Sequence, residues 1–258
     1  MPFLIPLNMK NKKLYYVLIP IILLCLWQLI SYFKFVSPLF LASPYDVFTH
    51  LTASFQSGSM LTDIAHTLYR VLIGFGIATI IGVPLGLLMG YSSKVYNALE
   101  FTVEFFRGIP TTALFPLFLL VFGIGDQAKF AVTAWGAGLV ILINSMYGVH
   151  LGKELRVRVA NTMKIKGSAL FTKVIFPEAL PQIFSGFRVA ISLSLIIVIV
   201  TEMFIGTDAG LGKRIIDSQL VYQTADMYAA ILITGVMGFI LNKIMMLVEN
   251  KVVHWKGK

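Results

Sequence analysis

The stretch KELRVRVANTMKIKGSALFTKVIFPEALP, residues 153 to 181, is the one long polar interruption in the apolar second half of the chain. Six of its first 21 residues are basic and one is acidic, so we expect this part to stay in water. Small and apolar residues nonetheless recur in it at helical spacing, which predicts a helix with a narrow apolar face beside a basic one. These residues are Ala160, Met163, Gly167, Leu170, Phe171 and Val174.

Two prolines close this stretch. Pro177 and Pro181 lack the backbone donor that a helix interior needs, so they are expected to stop the helix and to return the chain to hydrocarbon. The apolar face of the preceding helix has no membrane in which to be buried. We therefore expect it to fill a groove on a partner protein.

Composition places the whole chain in a membrane. Of its 258 residues, 57% are hydrophobic and 13% are charged, which leaves too little polar surface for a water-soluble domain. The net charge of +9 could indicate nucleic-acid binding, but the basic residues fall between apolar runs, so no nucleic-acid partner is expected. The single cysteine, Cys25, excludes a disulfide framework and a thiolate metal site, and we expect it to face lipid or to fill space in the packing.

Apolar runs predict an all-α membrane protein with about six spanning helices. The first run is too long for a signal peptide and lacks a cleavage site, and the chain leaves Met1 and Met9 open as alternative starts. We divide the chain into residues 1–34, an outside segment 35–63 with a short helix near 45–54, a core 64–250 that includes the polar segment 153–176, and a tail 251–258. The runs cover about 14–33, 64–91, 100–122, 130–152, 183–204 and 227–248.

Basic residues set the orientation of these spans. With both termini on the cytoplasmic side, 14 of the 21 lysines and arginines lie inside, while five lie outside and two lie within spans. Such an excess follows the positive-inside rule. The polar segment 153–176 is therefore predicted to be cytoplasmic.

A ladder of glycines marks the second predicted span. Gly82, Gly86 and Gly90 are four residues apart, which places three small residues on one helix face and predicts close packing with another helix. The partner helix could belong to the same chain or to a second copy. We favour the same chain.

Charged residues and prolines within the spans are candidates for lining a pathway. Glu104 and Arg107 are three residues apart and can neutralise each other, as a gate or as an interfacial ion pair with a snorkelling arginine. Arg188 has no acid within four residues, so it needs a partner across the bundle, a watery cavity or an anion, unless it snorkels to the headgroups. Pro110 and Pro116 are expected to break the hydrogen-bond ladder of the third predicted span, and such breaks are tolerated where the backbone lines protein or a cavity rather than lipid. The candidates are Arg107, Pro110, Pro116, Arg188 and Glu202.

Five stretches in fixed order resemble one family of membrane permeases. The order and spacing of these stretches resemble the permease subunits of ABC importers, in particular those for nitrate, taurine, aliphatic sulfonates, bicarbonate and some thiamine precursors. The resemblance extends from about Ser43 to Asn242. The stretches are Ser43-Pro44, TLYRVLIGFGIATIIGVPLGLLMGY (67–91), FFRGIPTTALFPLFLLVFGIG (105–125), FPEALPQIFSGFRVA (176–190) and TEMFIGTDAGLG (201–212).

The polar segment resembles the coupling loop of that family, which docks on a separate ATPase. The family's loop reads Glu-Ala-Ala, three residues, Gly, about a dozen residues and Pro. Aligned without a gap on Pro177, its glycine falls on Lys164, and the nearest glycine in this chain, Gly167, comes three residues later. Either the loop is shifted or its docking differs. The residues carried over as ATPase-coupling candidates are Arg158, Ala160, Met163, Lys164, Gly167, Ser168, Ala169, Leu170 and Phe171.

The resemblance implies a type I importer permease of a bacterial or archaeal plasma membrane. It implies two copies of this chain around one pathway, two ATPase subunits and an external solute-binding protein. It also implies no catalytic site, metal or cofactor on this chain, with ATP and Mg²⁺ held by the ATPase. The cargo it favours is a small anion.

Two other function classes fit the residues less well. A secondary carrier or channel needs an intramembrane ion relay or an inverted repeat, and neither is visible in the sequence. A membrane enzyme lacks any metal-ligand spacing or nucleophile motif. The stretch GTDAGLGKR is not a phosphate-binding loop, because Gly206 and Gly212 are six residues apart and Arg214 replaces the Ser or Thr that should follow Lys213.

Overall fold

The structure, a computed structural model, describes residues 9–150, 153–204 and 207–255, with 9–17, 153–156 and 161 described by their backbone alone. All regular structure in these ranges is helical. A 3₁₀ turn at Thr111–Leu114 precedes α5, and a π-helical turn at Phe171–Ile175 joins α8 to α9. The helices are α1 (Met9–Tyr32), α2 (Pro44–Gln56), α3 (Ser59–Tyr91), α4 (Ser93–Arg107), α5 (Phe115–Phe122), α6 (Asp126–His150), α7 (Lys153–Thr162), α8 (Gly167–Leu170), α9 (Phe176–Phe204), α10 (Leu211–Leu220) and α11 (Thr224–Val252).

Four helical segments in the described ranges are long and apolar enough to cross a bilayer: α3, the run from Gly167 to Phe204, α6 and α11. They cover the predicted second, fifth, fourth and sixth spans. The first predicted span falls on α1, of which the apolar part with described side chains is Leu18–Tyr32. The third, 100–122, covers α4 and Thr111–Phe122, which meet at an angle of 89° with Pro110 between them, in the geometry of a broken span or a re-entrant loop.

The chain divides into two compact units. The first takes in residues up to Met60 and Arg214–Leu232. In it, Ser43 caps α2: its hydroxyl accepts a hydrogen bond from the Asp46 backbone N–H at 3.1 Å, and Pro44 stands in the first turn, where a missing N–H costs nothing. The predicted helix near 45–54 is this α2. The guanidinium of Arg214 pairs with Asp226 at 2.9 Å, which ties α10 to α11 within the unit.

The second unit, Leu61–Lys213 with the chain from Ile233 onward, contains the close packing that the glycine ladder predicts. A Cβ added at Gly82 would lie 2.9 Å from the carbonyl oxygen of Gly138, and one at Gly90 would lie 2.6 Å from Cβ of Val149. At Gly86 an added Cβ would collide with the carbonyl oxygen of Leu142. The ladder therefore faces α6 of the same chain, and its backbone approaches α6 too closely for any side chain.

Candidate functional site

The backbone of the polar segment turns sharply between α7 and α8. Lys164 and Gly167 both have a φ of 61°, in the left-handed region. Glycine takes this conformation without a steric penalty, whereas another residue pays about 1–2 kcal/mol. Lys164 is the position on which the gapless alignment placed the glycine of the coupling loop. Lys164 and Gly167, the two positions on which the family's glycine could fall, therefore both have the conformation that a glycine favours, and the register of the loop stays a prediction.

The apolar face of this segment is only partly available to a partner. Ala160 is 3% exposed and Leu170 is 9% exposed, and both belong to a core cluster with Leu87 on α3 and with Ile183 on α9. The expectation that these two side chains lack cover within the chain is wrong, because α7 and α8 fold back onto the ends of α3, α6 and α9. Phe171 is half-buried against the same cluster and forms an edge contact with Tyr91 at 5.6 Å.

The side chains that remain outside form what we call the inner rim. Met163 is 68% exposed and Val159 is 53% exposed, and basic and small polar residues surround them. A cavity of about 690 Å³ lies next to the rim, between the end of α3 and α8. Ala169, another coupling candidate, is half-buried. The rim consists of Arg158, Val159, Met163, Lys164, Lys166, Gly167 and Ser168, all exposed.

The prolines after the segment do not end its helix, contrary to expectation. Helix continues from Gly167 to Phe204 through Pro177 and Pro181. The π-helical turn at Phe171–Ile175 comes directly before Pro177 and changes the hydrogen-bond register where the proline ring would otherwise meet the carbonyl of the preceding turn. The helix is interrupted earlier, at residues 163–166, where Lys164 has a positive φ.

Arg107 and its neighbours lie at the bend between α4 and α5. The guanidinium of Arg107 donates to the carboxylate of Glu104 at 2.6 Å, and both side chains are about half exposed. Pro110 precedes the 3₁₀ turn and Pro116 is the second residue of α5, where no backbone donor is required. The expectation that Pro116 interrupts a helix is therefore wrong. Whether these residues line a pathway stays a prediction.

Arg188 has a partner that its sequence neighbourhood did not reveal. Its guanidinium lies 3.6 Å from the carboxylate of Glu249, on α11, and the Glu249 side chain is buried. Of the alternatives named above, the partner across the bundle is the one that the structure contains. The Arg188 side chain is partly exposed.

Glu202 lies in a buried charge network at the far end of α9 from the inner rim. Its carboxylate accepts from Arg70 at 2.6 Å and from the hydroxyl of Thr67 at 2.9 Å. Arg70 also pairs with Asp126 at 2.7 Å, and Lys129 lies 3.1 Å from the same carboxylate. The four charges cancel within this network, which is the condition for burying Arg70, Lys129 and Glu202, while Asp126 stays partly exposed.

The network also holds the loop that the sequence analysis considered as a phosphate site. The N–H of Gly212 donates to Glu202 at 2.9 Å, the N–H of Gly210 donates to Asp63 at 2.8 Å, and the carbonyl of Ala209 accepts from Arg70 at 2.7 Å. The N–H groups of Gly210 and Gly212 therefore already donate to carboxylates, and that of Leu211 donates to the hydroxyl of Thr67 at 2.9 Å. Glu202 is among the candidates predicted from the sequence, whereas Thr67, Arg70, Asp126 and Lys129 are not. A visible signal was Arg70 itself, an arginine followed by a long apolar run.

Metal ligation has no candidate in the described ranges, where no three His, Cys, Asp or Glu side chains come together in a way that could hold an ion. Cys25, the lone cysteine, is exposed on α1.

Comparison with known proteins gives a family match. Residues 82–254 match the family described as binding-protein-dependent transport system inner membrane component. A putative aliphatic sulfonates transport permease protein, SsuC of Escherichia coli K12, is 32% identical over 237 residues, which are 92% of this chain and 90% of that protein. The nitrate import permease protein NrtB of Synechocystis is 30% identical over 76% of this chain and 71% of its own length.

A solved structure shares the fold. An inward-facing form of the MetNI methionine ABC transporter matches 76% of this chain and 97% of its own chain, with a TM-score of 0.67 and 18% identity. At that identity the similarity concerns the arrangement of the helices and nothing more.

Proposed function

The chain belongs to the family of binding-protein-dependent transport system inner membrane components, and from this premise we propose that it carries a small oxyanion of the sulfonate or nitrate class. It is a multi-pass plasma-membrane protein and the permease subunit of an ABC importer. It has no ATPase site of its own, because a separate subunit hydrolyses ATP in this family. An ATPase and a solute-binding protein are its partners.

One observation carries the choice of cargo. The sulfonate and nitrate permeases named above are similar to this chain over 92% and 76% of its length, respectively. A sulfonate group and a nitrate ion share a chemistry, that of a compact anion with three oxygens that accept hydrogen bonds. A pathway lined by a few cations and neutral donors would suit both. The binding protein would then choose between them.

We further propose that two copies of the chain enclose the pathway and that each inner rim contacts one of two ATPase subunits. ATP and Mg²⁺ would bind on the ATPase alone. Nucleotide binding would draw the two ATPases together, and the docked rims would move with them. The packed helices would thereby pass between inward-open and outward-open arrangements, which must be discrete because packed interfaces do not deform continuously.

The experiment starts from the partner binding protein. Its thermal unfolding is measured with taurine, ethanesulfonate, nitrate, bicarbonate and, as an uncharged control, glycerol. We expect one of these four solutes, each of which carries a sulfonate, nitrate or bicarbonate group, to raise the unfolding temperature of the binding protein. Uptake of that solute is then measured in proteoliposomes that contain this chain and its ATPase.

Uptake should require the binding protein, ATP and Mg²⁺ together. Stabilisation by glycerol and by none of the four solutes that carry an oxyanion group would contradict the proposed cargo. Equal uptake in liposomes without the ATPase would instead favour a secondary carrier.

A further inference from the structure

Helices α9 and α11 lie antiparallel, with polar side chains on the line where they meet. Leu195 lies against Gly238, Asn242 donates to the hydroxyl of Ser192 at 3.5 Å, and Arg188 pairs with Glu249 at 3.6 Å. Along these three contacts the residue numbers fall on α9 and rise on α11, which gives the direction of the two helices. Both helices are apolar enough to span a bilayer, so polar side chains on their shared surface need an explanation.

A cavity of about 490 Å³ opens beside this line. Its polar lining consists of an ammonium, a carboxamide and a hydroxyl, from Lys243, Asn242 and Ser192. All three groups can donate hydrogen bonds, and no carboxylate is among the described lining residues. The rest of the lining is Gly238, Phe239 and Met246.

Two cations, Arg188 and Lys243, lie near this line, and within the described ranges only one of them has an acidic partner. The carboxylate of Glu249 forms an ion pair with Arg188. Lys243 is exposed, and in the part of the chain that the structure describes no Asp or Glu oxygen lies within 4.0 Å of its ammonium. The positive charge of Lys243 is therefore not paired with a described carboxylate, and it lies at the cavity.

We infer that the groove between α9 and α11 is a binding subsite for one compact oxyanion, in which Lys243 supplies the charge and Ser192 and Asn242 supply neutral hydrogen-bond donors. The inference rests on the proposed function for the identity of the anion as cargo. Three donors of these types match the three oxygens of a sulfonate or nitrate group.

The hydrogen bonds that Asn242 and Ser192 make within the protein are long, so an anion can take their place. The Asn242 to Ser192 distance of 3.5 Å is at the limit of a hydrogen bond, and the Ser192 hydroxyl otherwise donates to the carbonyl of Arg188 at 3.2 Å, also long for an O–H donor. An arriving anion would replace weak bonds. One cation in an open cavity gives a weak and transient hold, which suits a cargo that must leave again.

The competing occupant is an anionic lipid headgroup, reached by Lys243 from a surface that faces lipid. Water access separates the two, because a cargo subsite is wet and a lipid-facing side chain is not. The chain offers a clean test, since Cys25 is its only cysteine. In a Cys25→Ser background, Ser192→Cys places one thiol in the cavity.

The assembled permease and ATPase, in phosphatidylcholine vesicles, are treated with two thiosulfonate reagents, one with a sulfonate tail and one with a trimethylammonium tail. Each rate is divided by the rate for free mercaptoethanol. We expect the anionic reagent to be favoured several-fold, and Lys243→Gln to abolish that preference. Lys251→Gln, which removes another exposed lysine of α11, should leave it intact. Asn242→Cys replaces Ser192→Cys if the latter fails to assemble.

A thiol that neither reagent modifies would overturn the subsite, because the groove would then be closed to water. So would a charge preference that Lys243→Gln leaves unchanged. Repeating the assay in phosphatidylglycerol vesicles tests the lipid: if this lipid suppresses labelling and added taurine or nitrate does not, the groove binds headgroups and the inference fails. This test can fail while the proposed function holds: the wild-type protein would import an anion, and the thiol of the Ser192→Cys variant would not react.

Discussion

Lys164 has a backbone conformation that favours glycine over residues with a side chain. Its φ of 61° costs a lysine about 1–2 kcal/mol, of which glycine recovers most at an entropic cost of about 0.5–1 kcal/mol. We expect Lys164→Gly to stabilise the assembled protein by about 0.5–1 kcal/mol, and Lys164→Val to destabilise it, because β-branched residues avoid positive φ. Lys166 has an ordinary extended backbone with a φ of −137°, so Lys166→Gly is the matched control and should not stabilise. Thermal unfolding in detergent measures all three, and equal effects of the two glycine variants would show that the turn is not strained.

Glu202 balances a buried arginine. In Glu202→Gln the guanidinium of Arg70 keeps a neutral partner and Asp126, but one carboxylate then faces the two cations Arg70 and Lys129, and breaking a buried pair in this way costs about 3–5 kcal/mol. Glu104→Gln removes the carboxylate of the exposed pair with Arg107 and should cost less than about 1 kcal/mol. We expect the first variant to give a low yield of monodisperse protein and the second to resemble wild type. Similar yields and unfolding temperatures for both variants would contradict the structural role of the network.

Gly86 provides a test of the contact between α3 and α6. A leucine there would meet the backbone of α6 at Leu142, and overpacking of this kind costs about 1–3 kcal/mol. Gly76, on the same helix, has no atom within 4 Å of an added Cβ, so Gly76→Leu is its control. Gly86→Leu should lower the unfolding temperature and Gly76→Leu should leave it nearly unchanged. The reverse order would mean that the ladder does not carry the packing.

At the scale of elements, the inner rim and the buried face beneath it call for different experiments. Met163→Asp places a charge on an exposed side chain of the rim, so we expect folding to be kept and cargo-stimulated ATPase activity to collapse. Leu170→Asp places a charge in the core and should cost stability before it affects coupling. Leu220→Asp, at an exposed leucine outside the rim, is the control for an added charge. Normal stimulation in Met163→Asp would exclude this part of the rim from the ATPase contact.

The elements also show what can be read from a sequence of this kind. Length and apolarity are local properties, and they located the helices that span. The spacing of Gly82, Gly86 and Gly90 located a packing face for the same reason. Periodicity groups Ala160 and Leu170 on one face but does not say which element covers it. Arg188 and Glu249 are 61 residues apart in the chain, so their pairing follows from the fold alone.

At the scale of the whole molecule, the exposure of α11 matters most. The apolar part of α11 is much less buried than that of the run that contains α9, so much of its surface is left for lipid, a pathway or a second copy. We expect native mass spectrometry of the assembled importer to find two copies of this chain with two ATPase subunits. A complex with a single permease chain that still imports cargo would contradict the proposed assembly.

The unbroken run from Gly167 to Phe204 has a mechanical consequence. Its 38 residues are helical throughout and extend about 57 Å at about 1.5 Å per residue, with the inner rim at one end and the buried charge network at the other. If the π-helical turn and Pro181 do not bend further, a tilt of about 10° around its midpoint would carry the two ends about 5 Å in opposite directions, with no loop between them to absorb the displacement. We therefore expect the distance between two spin labels, one at each end of the run, to stay constant through the ATP cycle while each label changes its depth in the bilayer.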